Sequence, residues 1–303
     1  MPHDIAQDIY RYLAHDWRLK GDELTDSKCN QLRDEIPKLR KAYWRNKELP
    51  YHKPLTRRAY LAAFGPRYAY VVYRCLNRRR TNAVRILKPW HREEGVVCLM
   101  GGGPACELFG LLEWLYEKGI EPRFLRVIIM DREGYWRTFH NFLFADLIGT
   151  RFRKTLVVPS YEAVDFPVPR GKKFDPTTVS YNFAQIAQLA EARLVLVTNC
   201  LSELPDHRGF ECHLRFLIRI ARHSQLVVCA DSAAKKRRPR VSWLRGAFNV
   251  ANTFETTELM SDVIKMKFGH LTQDPTTRRI FQKNGPPKWE NSLSRWVSIQ
   301  KTG

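Results

Sequence analysis

A glycine-rich turn is the part of the sequence with the clearest potential to bind a ligand. It follows the apolar stretch Val96–Met100, reads Gly101-Gly102-Gly103-Pro104-Ala105-Cys106-Glu107, and runs into a helical pattern. Glycines let a backbone approach a ligand closely, and the start of a helix offers N–H groups with no partner inside the helix. The turn is neither G-x-G-x-x-G, because position 106 is cysteine, nor a P-loop, because no G-K-[ST] follows. It therefore predicts a binding turn of another kind, with a purely structural tight turn as the alternative.

An acidic residue ends the next apolar stretch. Asp131 follows Leu125–Met130, which has the composition of a buried strand. A carboxylate at such a strand end can accept hydrogen bonds from both hydroxyls of a ribose. The alternative is an N-cap for the helix that follows. The glycine turn and Asp131 together are more specific for a ribose-containing ligand than either is alone.

The elements that must position these residues alternate between strands and helices. Apolar stretches predict the strands Val96–Met100, Leu125–Met130, Thr155–Val158, Leu194–Thr198 and Leu226–Ala230. Amphipathic patterns predict the helices Pro104–Lys118, ended by Gly119, Tyr135–Ile148 and Phe210–His223. This alternation predicts an α/β fold with a mostly parallel sheet and helices on both faces. The tail adds possible strands near Val263–Phe268, Arg279–Gln282 and Trp296–Ile299.

The first 92 residues have a different, helical pattern. Ile5, Ile9, Leu13 and Trp17 recur every four residues, and a similar stripe starts at Leu32. Gly65-Pro66 is expected to end a third helix before a fourth one, Tyr68–Leu76. We therefore predict a basic helical extension over 1–92 and an α/β domain over 93–303, with its core at 93–232 and C-terminal strands and a basic loop at 233–303.

The charge points to an anionic partner. The chain has 51 Lys and Arg against 31 Asp and Glu, a net charge of +20. Nucleic acid is the first expectation for such a chain, with a basic surface for solubility alone as the alternative. The candidate RNA-binding residues are Arg78, Arg79, Arg80, Lys172, Lys173, Lys235, Lys236, Arg237, Arg238 and Arg240. The last run, 235–240, also has the composition of a nuclear-localisation signal.

Several other classes are disfavoured. No apolar run reaches the ~18 residues of a membrane span, and the N-terminus lacks the apolar segment of a signal peptide. Seven cysteines, an odd number with no CxxC, indicate reduced thiols, so we expect neither a disulfide framework nor a metal. We therefore expect an intracellular protein, in the nucleus or nucleolus or in the cytoplasm, with no membrane partner.

The glycine turn and Asp131 resemble the first two motifs of class I S-adenosylmethionine-dependent methyltransferases, and the resemblance covers about residues 93–232. Gly101, Gly103 and Ala105 align with the three small positions of the family's turn. Pro104-Ala105-Cys106-Glu107 is similar to its G-P-G-x-E/D continuation. The resemblance implies a Rossmann-like fold, S-adenosyl-L-methionine as cofactor and a ribose on Asp131. Leu99 departs from it, because many members have there an acid that contacts the methionine end, and Glu107 could supply that acid.

A second fragment concerns the substrate. Thr198-Asn-Cys-Leu-Ser-Glu-Leu204 is similar to the L-x-E-L ending in ribosomal small-subunit assembly methyltransferases, whereas the N-P-P-[YF] motif of enzymes that methylate exocyclic amines is absent. The resemblance adds Arg132, Asn199, Cys200 and Leu201 to the cofactor residues. It makes Glu203, as a base, and Asn199 the candidate catalytic residues; the alternative for Glu203 is a helix-capping or structural acid.

The sequence thus predicts an S-adenosylmethionine-dependent methyltransferase acting on RNA, in the first place ribosomal RNA or a ribosomal particle. One alternative is a methyltransferase-like protein that binds RNA or ribosomes without catalysis. The other is a methyltransferase for a small molecule or a protein.

Overall fold

The structure is a computed structural model that describes residues 5–20, 23–44, 49–131, 134–137, 140, 152–163, 191–198, 224–232, 257–265, 275–281 and 293–301. The helices are α1 (Ile5–Asp16), α2 (Asp26–Trp44), α3 (Pro54–Arg78), α4 (Arg80–Leu87), α5 (Glu107–Glu117) and α6 (Pro275–Phe281). Short 3-10 helices cover Lys88–His91 and Gly134–Trp136. The strands are β1 (Gly95–Met100), β2 (Phe124–Asp131), β3 (Leu156–Ala163), β4 (Leu194–Thr198), β5 (Leu226–Ser232), β6 (Thr257–Lys265) and β7 (Leu293–Lys301).

The seven strands form one sheet in the order β3-β2-β1-β4-β5-β7-β6. β1 to β5 are mutually parallel, whereas β7 runs antiparallel to both β5 and β6. Every residue of β1 and β4 is buried, because a parallel sheet is covered on both faces. The predicted Rossmann-like α/β sheet is confirmed.

The strand order changes direction between β1 and β4. The chain steps outward from β1 through β2 to β3 on one side, and β4 then pairs with β1 on the other side. In open α/β sheets, the crevice for ligands lies at the carboxyl ends of the strands at this switch point. The glycine turn leaves β1, and Asp131 ends β2, at that edge of the sheet.

α3 lies along α5 and runs parallel to it. A Cβ atom at Gly110 would lie 1.8 Å from the carbonyl oxygen of Ala69, so the two helices touch backbone to backbone. Near the start of α5, a Cβ at Gly65 would lie 3.0 Å from Cys106 Sγ, and near its end Tyr73 donates a hydrogen bond to Glu117. From Gly65 to its end, α3 therefore runs from the carboxyl edge of the sheet toward its amino edge.

The break expected at Gly65-Pro66 is wrong, because α3 continues through Pro66. A proline inside a helix costs about 3 kcal/mol through the lost hydrogen bond and a clash with the preceding turn. Seventeen of the 25 residues of α3 are buried, and this packing offsets the cost. Gly65 is needed for close packing: its Cβ would also lie 2.9 Å from Ile9 Cδ1 of α1.

The strand expected near Arg279–Gln282 is also wrong, because Pro275–Phe281 is helical. Ile280 and Phe281 are buried, and Arg279 pairs with Asp26 at 2.7 Å on α2. Two adjacent apolar residues are too few to separate a strand period from a helix period. The predicted helix 210–223 and most of 135–148 lie outside the described residues. None of the helices in the described ranges is both long and apolar enough to cross a membrane.

Candidate functional site

The glycine turn keeps its shape through backbone that favours glycine. Gly101 and Gly103 have φ values of +63° and +33°, and the Gly101 N–H donates to the Met130 carbonyl of β2 at 2.8 Å. Gly102 sits so close to β1 that a Cβ would lie 2.7 Å from Leu99 Cβ. The turn therefore presents bare glycine backbone at the carboxyl end of β1, which a ligand can approach closely.

Ala105 adopts the same left-handed backbone without being a glycine. Its φ is +57°, a conformation that costs an L-residue about 1–2 kcal/mol. Its side chain is fully buried, and it stands where the resembling family has its third small residue. The third position of the turn thus keeps the glycine conformation although the residue is alanine.

Asp131 is brought directly to the turn. Its Oδ2 accepts a hydrogen bond from the Gly103 N–H at 2.7 Å, and Tyr161 OH donates to the Asp131 carbonyl at 3.1 Å. A Cβ at Gly103 would lie 3.4 Å from that same Oδ2. A carboxylate offers about four acceptor positions, so Asp131 can hold the turn and still accept from a ribose.

Glu107, the first residue of α5, is the buried carboxylate of the site. Only 2% of its surface is exposed, and Thr198 at the end of β4 donates a hydrogen bond to its Oε1. Burial raises the pKa of Glu107 to about 7; the Thr198 bond opposes that rise and the nearby charge of Asp131 adds to it. Its Oε2 is buried and has no hydrogen-bond partner among the described residues. A buried oxygen without a hydrogen bond destabilises the fold unless a donor on a ligand bonds it.

His140 contacts the turn through the Gly103 carbonyl. Its Nε2 donates to the Gly103 carbonyl at 2.6 Å, and its ring lies 5.6 Å from the ring of Tyr161. Burial lowers the pKa of His140 to about 4, so the imidazole is neutral near pH 7. No motif in the sequence singles this histidine out.

An aromatic cluster joins the N-terminal helices to the site. The ring of Trp136 lies 5.2 Å from Tyr51 and 5.6 Å from Tyr60. Tyr60 OH and Tyr68 OH share a hydrogen bond of 3.0 Å. A Cβ at Gly103 would lie 3.3 Å from Trp136 Nε1, so this cluster borders the turn. Spacing along the sequence could not reveal it, because its members come from separate segments.

The expected position for an acid at the end of β1 is apolar. Leu99 is fully buried beneath Gly102. Glu107 lies eight residues further along the chain and supplies a buried carboxylate near this position. The described part of the chain has no group of three or more His, Cys, Asp or Glu able to hold a metal ion.

Cys229 is buried and its pKa is raised to about 12 by burial, which agrees with a structural thiol.

The remaining predicted residues divide into two groups. Among the predicted RNA-binding residues, Arg78 and Arg80 are exposed, whereas Arg79 is buried with 4% exposure. The others lie outside the described residues and stay predictions: Arg132, Asn199, Cys200, Leu201, Glu203, Lys172, Lys173, Lys235, Lys236, Arg237, Arg238 and Arg240.

Comparison with known proteins finds likeness in structure but not in sequence. No protein-family model matches the chain, and no curated protein matches it. The methyltransferase domain of a bacterial Hen1 protein, CtHen1, is 12% identical over 75% of this chain and 100% of its own, with a TM-score of 0.37. The plantazolicin methyltransferase BpumL is 10% identical over 91% and 98%, with a TM-score of 0.36. The N-methyltransferase NodS from Bradyrhizobium japonicum is 10% identical over 91% and 99%, with a TM-score of 0.34. The function of this chain therefore has to be argued from its own residues.

Proposed function

We propose that the chain is an S-adenosylmethionine-dependent methyltransferase that acts on RNA. The observation that carries this proposal is the convergence of three features at one edge of the sheet. The bare glycine turn follows β1, Asp131 ends β2 beside that turn, and Glu107 presents a buried oxygen without a partner among the described residues. All three lie at the switch point of the sheet, where α/β folds bind their ligands.

The donor set fits the cofactor that the sequence resemblance implies. Asp131 would accept hydrogen bonds from the ribose hydroxyls, and the turn Gly101–Gly103 leaves room for the ligand to lie against the backbone. Glu107 would accept from the α-ammonium group, because its Oε2 needs a donor and a cation favours the charged carboxylate. When bound, S-adenosylmethionine supplies an electrophilic methyl group on a sulfonium.

The chain's own contribution is mainly positioning. His140 bonds the carbonyl of Gly103 and Asp131 bonds its N–H. The turn therefore has its shape before the ligand binds. Thr198 fixes Glu107 and thereby links β4 to α5. Preorganisation of this kind brings a methyl acceptor into line at little entropic cost. We assign the role of proton acceptor to Glu203, to be checked by the single-turnover rate of Glu203→Gln, which we expect to be lower by ~10²–10⁴-fold.

RNA is supported as the substrate by charge. The chain has an excess of 20 positive charges, and Arg78 and Arg80 are exposed on the helical extension. Neutralising phosphates is the usual role of such an excess. Methylation of total RNA by the purified chain, followed with methyl-labelled cofactor, tests the activity; transfer only to protein or small molecules would contradict the RNA part.

The cofactor site is tested by two substitutions of Asp131. Asp131→Asn keeps an oxygen for the Gly103 N–H but loses the charge, whereas Asp131→Ala loses both. A charge-assisted hydrogen bond contributes about 1.5–3 kcal/mol, so calorimetry should show at least ~10-fold weaker S-adenosylmethionine binding for both variants. The melting temperature should fall clearly only for the alanine variant. Unchanged binding by a folded Asp131→Ala chain would remove the ribose assignment.

One pair of observations favours a second function, an RNA-binding protein of this fold that has lost catalysis. Leu99 is apolar where an acid is common, and Ala105 strains the third position of the turn. Such a protein would bind RNA normally but fail to transfer a methyl group. Cofactor calorimetry followed by a methyl-transfer assay on total RNA separates the two functions, because the second protein transfers no methyl group whether or not it binds the cofactor.

A further inference from the structure

A long stretch of the helical extension has positive charge without any negative charge. Residues 49–92 contain eleven Lys and Arg residues and no Asp or Glu. This stretch includes α3, α4 and the 3-10 helix before β1. In a surface meant for solubility alone, charges of both signs are usually interspersed.

The charges of α4 and its continuation face solvent. Ala83, Ile86 and Leu87 are buried, together with Trp90 in the following 3-10 helix. Arg80, Arg85, Lys88 and Arg92 are exposed. We call these four side chains the α4 basic surface.

The two acids that follow this surface in the chain form ion pairs with arginines outside it. Glu93 pairs with Arg193 at 2.6 Å, and Glu94 pairs at 3.2 Å with Arg126, which also pairs with Glu191. Within the part of the chain that the structure describes, none of the four residues of the α4 basic surface makes an ion pair. The surface therefore keeps an uncompensated charge, which favours a polyanionic partner.

The α4 basic surface lies at the opposite edge of the sheet from the glycine turn. α3 passes the carboxyl edge at Gly65, which faces Cys106, and ends at Arg78, just before α4. Arg78 is the thirteenth residue after Gly65, which at a rise of about 1.5 Å per residue corresponds to about 20 Å. Partners bound at the two edges would not touch the same residues.

An exposed aromatic ring lies at the same edge. Phe124 begins β2, is 53% exposed, and is paired in register with Leu156, itself 58% exposed. The segment just before Phe124 contacts the segment that carries the basic surface. The Glu121 N–H donates to Nδ1 of His91, which lies between Lys88 and Arg92, at 3.5 Å. An exposed phenyl ring offers a stacking platform for an unpaired base.

We propose that the α4 basic surface and Phe124 form a docking site for single-stranded RNA at the amino edge of the sheet, remote from the cofactor turn. The identification of the polyanion as RNA rests on the proposed function. Arg80, Arg85, Lys88 and Arg92 contact phosphates, and Phe124 stacks on a base. Because the site is remote, it strengthens RNA binding without touching the methyl transfer itself.

The charge half of the site is tested with a double variant of the full chain, Arg80→Gln with Arg85→Gln. The control is Lys38→Gln with Lys41→Gln, which removes the same charge from exposed positions on α2. Fluorescence anisotropy with an unstructured 24-nucleotide RNA is recorded from 0.1 to 1 M salt. Each lost phosphate contact lowers the salt slope by about 0.7, so two lower it by about 1.4. At 0.1 M salt, that change corresponds to about 25-fold weaker binding.

The control should keep the slope of the unmodified chain, and both double variants should keep its S-adenosylmethionine affinity in calorimetry. An unchanged slope for the α4 variant, or an equal loss in the control, overturns the docking site. Binding to vesicles containing phosphatidylserine, in place of binding to RNA, would also overturn the docking site. Failure of the proposed function looks different: RNA binding would still depend on the α4 basic surface while calorimetry showed no cofactor binding.

The aromatic half has its own test. Phe124→Ala should weaken binding of the 24-nucleotide single strand by at least about fivefold, since stacking on one base is worth about 1–3 kcal/mol. Phe124→Tyr keeps a ring and should restore the affinity. Binding of a fully paired RNA duplex should not change in either variant. Equal affinity of Phe124→Ala and the unmodified chain for the single strand would remove Phe124 from the site.

Discussion

Glu107, which follows the glycine turn, and His140, which bonds the Gly103 carbonyl, should give the free energy of unfolding two opposite pH dependences. Burial raises the pKa of Glu107 from 4.5 to about 7, so the folded chain holds one more proton than the unfolded chain between these values. Burial lowers the pKa of His140 from 6.5 to about 4, so there the folded chain holds one proton fewer. Stability therefore falls with rising pH on account of Glu107 and rises with it on account of His140.

The two contributions overlap between pH 4.5 and 6.5 and have similar size. A difference of one bound proton changes the free energy of unfolding by about 1.4 kcal/mol per pH unit. In the unmodified chain the two slopes therefore nearly cancel in this range. Removing either group should expose the slope of the other.

Glu107→Gln should make the chain more stable at pH 6 than at pH 5 by about 1 kcal/mol, relative to the unmodified chain, because only the His140 slope remains. His140→Gln should produce the opposite change of the same size, and its amide N–H can still donate to the Gly103 carbonyl. Urea unfolding followed by tryptophan fluorescence at pH 5.0, 5.5 and 6.0 measures both. If all three chains showed parallel pH profiles, neither group would have the perturbed pKa that its burial implies.

Two further predictions concern backbone geometry. Ala105→Gly should raise the free energy of unfolding by about 0.5–1 kcal/mol. The reason is that relief of the left-handed strain exceeds the conformational entropy that glycine loses on folding. A lower midpoint of chemical denaturation would contradict this. Gly110→Ala should lower it by about 3 kcal/mol, because the new methyl group would collide with the Ala69 carbonyl. Gly134→Ala is the matched control: nothing lies within 4 Å of its Cβ, so its melting temperature should barely move.

The sheet could be predicted from the sequence because its central strands have a simple signature. β1 and β4 are buried on both faces and therefore appear as continuous apolar stretches rather than alternating ones. The predicted bounds of β4, Leu194–Thr198, agree with those observed. α3 was harder to predict, because Gly65-Pro66 has the composition of a helix breaker. Packing against neighbouring elements, including Ile9 of α1 and Cys106 before α5, makes a continuous helix favourable there.

Within the candidate site, local residues were predictable and long-range partners were not. The turn and Asp131 follow a recognisable spacing, and Glu107 continues the same motif. The bond that fixes Glu107 comes from Thr198, 91 residues away, and no local pattern encodes that contact. His140 likewise has its role only because the chain returns it to the Gly103 carbonyl, 37 residues earlier.

α3 sets the distance between the proposed cofactor site and the proposed docking site. It begins beside the aromatic cluster, where Tyr60 packs on Trp136, and ends next to the α4 basic surface. Its backbone packs closely on α5 at Gly110, and its rise from Gly65 to Arg78 gives a separation of about 20 Å. Stacked nucleotides advance about 3.4 Å each, so about six of them cover that distance. Under both proposals, an acceptor RNA is therefore recognised over a length of chain rather than at the methylated nucleotide alone.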